Sequence, residues 1–300
     1  MTSPTSAQPV SARLALGSAQ FGMRYGVANR AGPVSDAELS AILECARAAG
    51  VRTLDTAIQY GESEERLGRA GMGQWQVISK LPPIESLTRR PERVGEETAR
   101  AVHGSLRRLG IAMLHGVLLH RPQDLLSPLG AALYEALLAL KREGLVARIG
   151  ISVYGPEEIE ELPAAFRFDI IQAPFNVVDR RLSASGWLDR LRTAGVEVHV
   201  RSAFLQGLLL MREAERPGYF ARWSPLWRCW HDWLAENELT ALQACLSFVL
   251  SYPVDRVVVG VDGVAQLQAI VAQTGQSLPP PASLASIDPE LINPSRWNLT

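Results

Sequence analysis

The chain has 300 residues, 47% of them hydrophobic and 20% charged, with a formal net charge of −1. That balance suits a globular protein with a large core and gives no electrostatic reason to expect nucleic acid or an anionic membrane as partner. Cys45, Cys229 and Cys245 are too widely spaced for a zinc or disulfide framework, the five histidines lack metal-binding spacing, and no apolar run reaches the length of a membrane span.

The polar N-terminus MTSPTSAQPVSAR lacks the apolar centre of a secretory signal, so a cytoplasmic protein with a tail over residues 1–12 is expected. The first predicted strand is RLAL (13–16). DAELSAILECARAAG (36–50) follows as a helix, with Leu39, Ile42, Leu43 and Ala46 on one face and Gly50 as its stop. RTLD (52–55) is the second strand, and a helix begins soon after Tyr60, with its glutamates and Arg66 read as ordinary helix surface. Strand QVIS (76–79) precedes the helical pattern at 91–110, and GVLL (116–119) precedes the one at 129–144; both patterns end in basic residues and glycine. RIGIS (148–152), DIIQ (169–172), EVHVR (197–201) and RVVVG (256–260) complete the strands. SASGWLDRLRTAG and LTALQACLSFVLSYP close the sixth and seventh crossovers, and VAQLQAIVAQ follows the eighth strand.

Eight strands alternating with helices predict an α/β fold, a (β/α)8 barrel in a single domain over residues 1–300. A doubly wound sheet is the rival, but no GxGxxG follows any strand. Two stretches exceed what a barrel needs: residues 202–237 and a proline-rich C-terminal tail, 278–300. The first holds Trp223, Trp227, Trp230 and Trp233 at helical spacing. They read either as a helix packing its rings on the barrel rim or as a lid whose aromatics face a substrate.

Barrel active sites form at the C-terminal strand ends. That rule selects Asp55, Lys80 and His120 on three consecutive strands, with Tyr60 in the loop beside Asp55. It also selects Ser152, Gln172 and Ser202. Each residue has an innocent reading, as a cap, a solvated strand end, a packed ring or a backbone contact. Together they offer a phenol, an ammonium to tune it, a carboxylate to hold the ammonium and an imidazole to orient an oxygen. That set can protonate an oxygen as it gains negative charge, which is what happens when hydride reaches a carbonyl carbon.

These residues and their order resemble the aldo-keto reductase superfamily over nearly the whole chain, from LGSAQFGMRYGVAN to VVVGVDGVAQL. LDTAIQYGESEERLG is similar to the family's aspartate–tyrosine signature, ISK supplies Lys80 and LLHRP supplies His120. The resemblance implies reduction of an aldehyde or ketone, a small-molecule carbonyl that includes sugar-like ones, with Tyr60 as proton donor. It implies NADP(H) as cofactor, with NAD(H) second, and no metal. The matching cofactor positions are Ser18, Gln20, Ser152, Gln172, Arg201, Ser202, Phe204, Gln206, Gly207, Gly260, Asp262, Gly263 and Gln266. Three depart from the family's habit. Val153 stands where a second amide-binding residue is common, Arg201 stands where an aromatic ring stacks on nicotinamide, and the last segment carries no cation for a 2′-phosphate. Two other functions remain open at this stage: a lyase-type barrel with Lys80 as Schiff-base amine, and a regulatory barrel that binds nucleotide without turnover.

Overall fold

Successive side chains along each short strand point to opposite faces, which sets which of them enter the barrel. In the computed structural model, which describes residues 10–273 and 278–299, β1 (Leu14–Gly17), β2 (Thr53–Asp55), β3 (Gln76–Leu81), β4 (Gly116–Leu119), β5 (Ile149–Ser152), β6 (Ile170–Pro174), β7 (Glu197–Arg201) and β8 (Arg256–Gly260) pair in parallel. They follow chain order, and β8 closes on β1. Each strand lies within a residue or two of its predicted position. Outward residues such as Val77, Val117, Ile149, Ile171, Val198 and Val257 join the helices in one large core. Inside the barrel, Ile78, Leu118 and Ile170 form a separate apolar plug. Two residues further along the same strands, on the same face, stand Lys80, His120 and Gln172. The period of two that builds the plug therefore also lifts a polar layer to its top.

The helices follow from local signals. Ser35 caps Asp36–Ala48, its hydroxyl accepting from the Glu38 amide, and Leu39, Ile42, Leu43 and Ala46 are buried as their spacing predicts. Val94–Leu109 and Gly130–Arg142 match their predicted positions. Thr240 and Gln243 form a capping box at the start of Ala241–Ser251. SASGWLDRLRTAG divides into Arg181–Ala184 and Trp187–Thr193 because Gly186 adopts a left-handed conformation, φ 77°, between them.

Two expectations need correction, and one pair of open readings is decided in favour of packing. Residues 1–9 of the predicted tail lie outside the described residues. Residues 10–12 belong to a 3-10 turn, Val10–Arg13, whose Arg13 donates to the carbonyls of Leu250 (2.7 Å) and Tyr252 (2.6 Å). They are anchored to the barrel. Second, the tryptophans of the long loop do not face the cleft. Trp227, Trp230 and Trp233 are buried, Trp230 and Trp233 stack, and the indoles of Trp227 and Trp230 donate to the carbonyls of Phe220 and Leu209. The C-terminal segment covers them, with Trp297 edge-on to Phe220 at 4.9 Å. This is the packing reading, favoured because a large ring gains more from burial against other rings than at a wet mouth.

Third, the helix Ser63–Ala70 is no ordinary surface helix. Glu64 is buried, accepts from the Ser79 hydroxyl at 2.6 Å and pairs with Arg108 at 2.6 Å. Arg66 reaches back to the carbonyls of Phe21 and Val34 and to Asp36. These two side chains lock the helix after Tyr60 onto β3 and the loop after β1. Glu64→Ala is therefore expected to lower stability by about 1–3 kcal/mol, the cost of stranding Ser79 and a half-buried guanidinium. Urea denaturation would measure it, and a loss within experimental error would show the pair to be idle.

Candidate active site

Tyr60 is placed by a crossing of two backbones. Gly22, in the loop after β1, passes so close that a Cβ there would sit 1.7 Å from the Tyr60 carbonyl oxygen. Gly61, at φ 56°, completes the turn from the other side. Ser63 secures the same crossing, its hydroxyl bonding to the Ser18 carbonyl and hydroxyl at 3.0 and 2.9 Å. The tight turn after a three-residue strand thus determines where the phenol points.

Four residues expected to work together do meet. Lys80, 1% exposed, forms an ion pair with Asp55 and donates to the Thr56 carbonyl at 3.1 Å. Its Nζ lies 3.5 Å from the Tyr60 hydroxyl. The Tyr60 and His120 rings meet edge to face, with centroids 5.9 Å apart. Gln172 extends the network, donating to the second Asp55 oxygen at 2.7 Å and accepting from Ser152 at 3.2 Å. One carboxylate is thereby held on both oxygens, between an amide and an ammonium.

Burial dominates the electrostatics. It pushes the Tyr60 phenol above its ordinary range, with Asp55 adding and Arg201 opposing, so the phenol keeps its proton at neutral pH. Burial also lowers the Lys80 ammonium, against the pull of Asp55. An ammonium beside a phenol ordinarily draws its pKa down; here desolvation and the neighbouring carboxylate leave it raised. Burial, then Lys80 and Arg201, pushes the His120 imidazole down to about 4. Its Nδ1 is buried and meets no hydrogen-bond partner among the described residues; the ring is neutral and packs against Tyr60 without itself lining the cleft that Tyr60 borders.

A pH expectation follows. The folded protein resists protonation at His120 until about pH 4, whereas a free imidazole takes its proton near ~6.5. A kcat/KM profile should therefore stay level through that interval and fall only towards the lower value. An acid limb centred near ~6.5 would place His120 in an ordinary, solvated setting.

The phenol and Asp55 line a cleft of about 480 Å³, within the range of small-molecule sites. Ser18, Gln20, Gln172, Arg201, Ser202, Phe204, Gln206, Gly207, Gly260, Asp262 and Gln266 all line it. Ser152 and Gly263 do not. Ser152 is committed to Gln172 beneath the floor, and Gly263 faces Glu38 behind the wall. The Arg201 guanidinium lies over the Tyr154 ring at 4.8 Å and donates to the Val153 carbonyl at 3.0 Å, a planar cation at the Tyr60 end. Strain collects in the next loop, where Ser202, Leu205 and Gln206 have φ of 62°, 47° and 53°.

Residues 24–32 belong to no predicted element and only part of them entered the resemblance. That loop crosses the cleft: the Val27 amide donates to the Gln206 carbonyl at 3.1 Å, and Asn29 donates to Asp262 at 2.8 Å. Tyr25, Gly26, Ala28, Asn29 and Arg30 all line the cleft. Only the glycines and Asn29 in MRYGVANRAG hint at a turn, and nothing local says what it covers. Among the described residues no cluster of three or more His, Cys, Asp or Glu could hold a metal ion, and no helix is long and apolar enough to cross a membrane.

Comparison with known proteins bears on the family and the fold. The Aldo/keto reductase family model matches residues 13–281. Over 116 residues the chain is 33% identical to an uncharacterized oxidoreductase of Schizosaccharomyces pombe, covering 38% of this chain and 41% of that one. Over 131 residues it is 28% identical to an aldo-keto reductase of Mycolicibacterium smegmatis, covering 44% and 45%. The matched segments span less than half of either relative. Among solved structures, the holo form of an aldo-keto reductase from Bacillus halodurans superposes with a TM-score of 0.70 at 23% identity, covering 89% of this chain and 88% of that one. A glycerol dehydrogenase from Gluconobacter oxydans gives 0.67 at 23% identity, covering 89% and 87%. At that identity the two structures speak for the fold.

Proposed function

The chain belongs to the aldo/keto reductase family, and from that premise we propose that it reduces an aldehyde or ketone to an alcohol with a nicotinamide dinucleotide. The observation that carries this reading is the connected series Ser152, Gln172, Asp55, Lys80 and Tyr60, which ends on a protonated phenol in the wall of the cleft. The cleft fits the cofactor: Gly17, Gly26, Gly207 and Gly260 let a ligand approach the backbone closely, and the phenol of Tyr60 lines the same cleft as Asp262 and Gln266. Gln172, Arg201 and Gln206 would hold the dinucleotide there, and when bound it supplies the hydride.

This chain's residues do the rest. His120 hydrogen-bonds the carbonyl oxygen and turns it towards the phenol. Tyr60 gives its proton to that oxygen as negative charge builds on it. Lys80 stands beside the phenolate left behind and stabilises it, and Asp55 keeps the ammonium charged where water is excluded. Reprotonation from solvent resets the phenol. Sugar-like carbonyls belong to the expected range, and the cytoplasm to the expected location.

The Schiff-base alternative is disfavoured because Lys80 is almost fully buried and its Nζ is committed to Asp55 and Thr56. A carbonyl carbon would have to pass Tyr60 to reach it. The test is a carbonyl panel followed at the nicotinamide absorbance. Turnover on any member supports the reading. A dinucleotide that quenches tryptophan fluorescence but is never oxidised would favour the regulatory barrel, and a borohydride-trapped adduct on Lys80 would favour the lyase.

A further inference from the structure

We propose that the end of the cleft remote from Tyr60 selects a dinucleotide without a 2′-phosphate, NAD(H) over NADP(H), and that Asp262 is the residue that selects. This rests on the dinucleotide reading above. Chemistry at Tyr60 puts the nicotinamide at that end, so the adenosine half falls where Arg30, Asp262, Gln266, Ala269 and Ile270 line the wall.

A 2′-phosphate is close to a dianion at neutral pH, and proteins hold such groups with Arg or Lys or with free amides at the start of a helix. Here both devices are compromised. The first amide of the helix Val264–Val271 already donates to the Glu38 carboxylate at 2.6 Å. The Asp262 amide already donates to the Gln266 side chain at 2.8 Å. A phosphate arriving there would find both amides already engaged.

Asp262 itself is held in place. Its Oδ1 accepts from Asn29 at 2.8 Å, and Asn29 is buried and fixed in turn by the Gly32 amide at 2.8 Å. Neither residue can swing aside without breaking the crossing of the 24–32 loop. The remaining oxygen, Oδ2, is left to accept from ribose hydroxyls, the use acidic residues serve in NAD sites on other folds. It would repel a phosphate in the same position. Arg30 is the one cation lining this end among the described residues, but it is exposed and shares the wall with Glu215. That carboxylate offsets part of the charge the guanidinium would offer a phosphate.

The experiment is a fluorescence titration of the full-length protein with NADH and with NADPH, read through its seven tryptophans, for wild type, Asp262→Asn and Arg30→Ala. Wild type should bind NADH at least ~10-fold more tightly, a difference worth about 1.4 kcal/mol. Asp262→Asn, which keeps the shape and an oxygen for Asn29, should shrink that ratio at least fivefold, chiefly by tightening NADPH. Arg30→Ala should leave the ratio within twofold. Equal or tighter binding of NADPH by wild type overturns the preference. A ratio unchanged in Asp262→Asn overturns the assignment to Asp262. A large loss of NADPH affinity in Arg30→Ala gives Arg30 the phosphate and sinks the proposal. Binding of neither dinucleotide would overturn the reading of the cleft itself, and this proposal with it, which separates the two failures.

Discussion

Tyr60→Phe is expected to lower kcat by roughly 10²–10⁴-fold, the usual worth of a positioned general acid, while the dinucleotide dissociation constant moves by less than twofold. The substitution removes one oxygen and leaves the ring. The edge contact with His120 and the position of Lys80 over the ring, 5.1 Å from its centroid, survive, as does the backbone crossing at Gly22 and Gly61. What disappears is the O–H that Lys80 faces at 3.5 Å. Proton donation matters only as charge develops on the substrate oxygen, so the loss should fall on the chemical step. Single-turnover kinetics with preloaded cofactor would read that step without interference from product release. A variant that keeps near-normal single-turnover rates would remove Tyr60 from the chemistry, whatever its place in the wall.

The second large effect separates fold from chemistry. Lys80→Met is expected to cost about 3–5 kcal/mol of stability as well as activity, because it strands a buried carboxylate. Asp55 would keep its bond from Gln172 but lose its only ammonium among the described residues. Adding Asp55→Asn to Lys80→Met removes the stranded charge, so the double variant should regain most of the lost stability and none of the activity. Urea unfolding midpoints and turnover on the same samples would show it. If the double variant stays as unstable as the single one, the lysine stem rather than the ion pair holds the barrel mouth together.

Much of this site could be read along the chain. Each strand is a short apolar run whose alternation survives in three dimensions, so the residue two places beyond an interior one is also interior. Ile78 predicts the direction of Lys80 in this way, Leu118 that of His120 and Ile170 that of Gln172. Helix ends at Ser35, Thr240 and Gly110 are equally local, set by a side-chain cap or a left-handed glycine. The surface reading of Glu64 and Arg66 failed because helical charge patterns do not reveal what lies opposite. Ser79 and Arg108, the partners of Glu64, come from elements 15 and 44 residues away.

What the sequence by itself determined is therefore the barrel, the order of its strands and the side chains at the C-terminal ends of three of them with Tyr60 in the loop beside, since these depend on periodicity and spacing within a few residues. Only the tertiary structure decided how those side chains are wired and what surrounds them. Gln172 could have faced a ligand alone, but it reaches Asp55 across 117 residues. Asp262 could have been a solvated turn residue, but Asn29 holds it from 233 residues away. The tryptophans of the long loop could have lined a lid, but the C-terminal segment folds over them. In each case several partners satisfy the same polar or apolar group equally well in sequence, and closure of the barrel brings only one of them within reach.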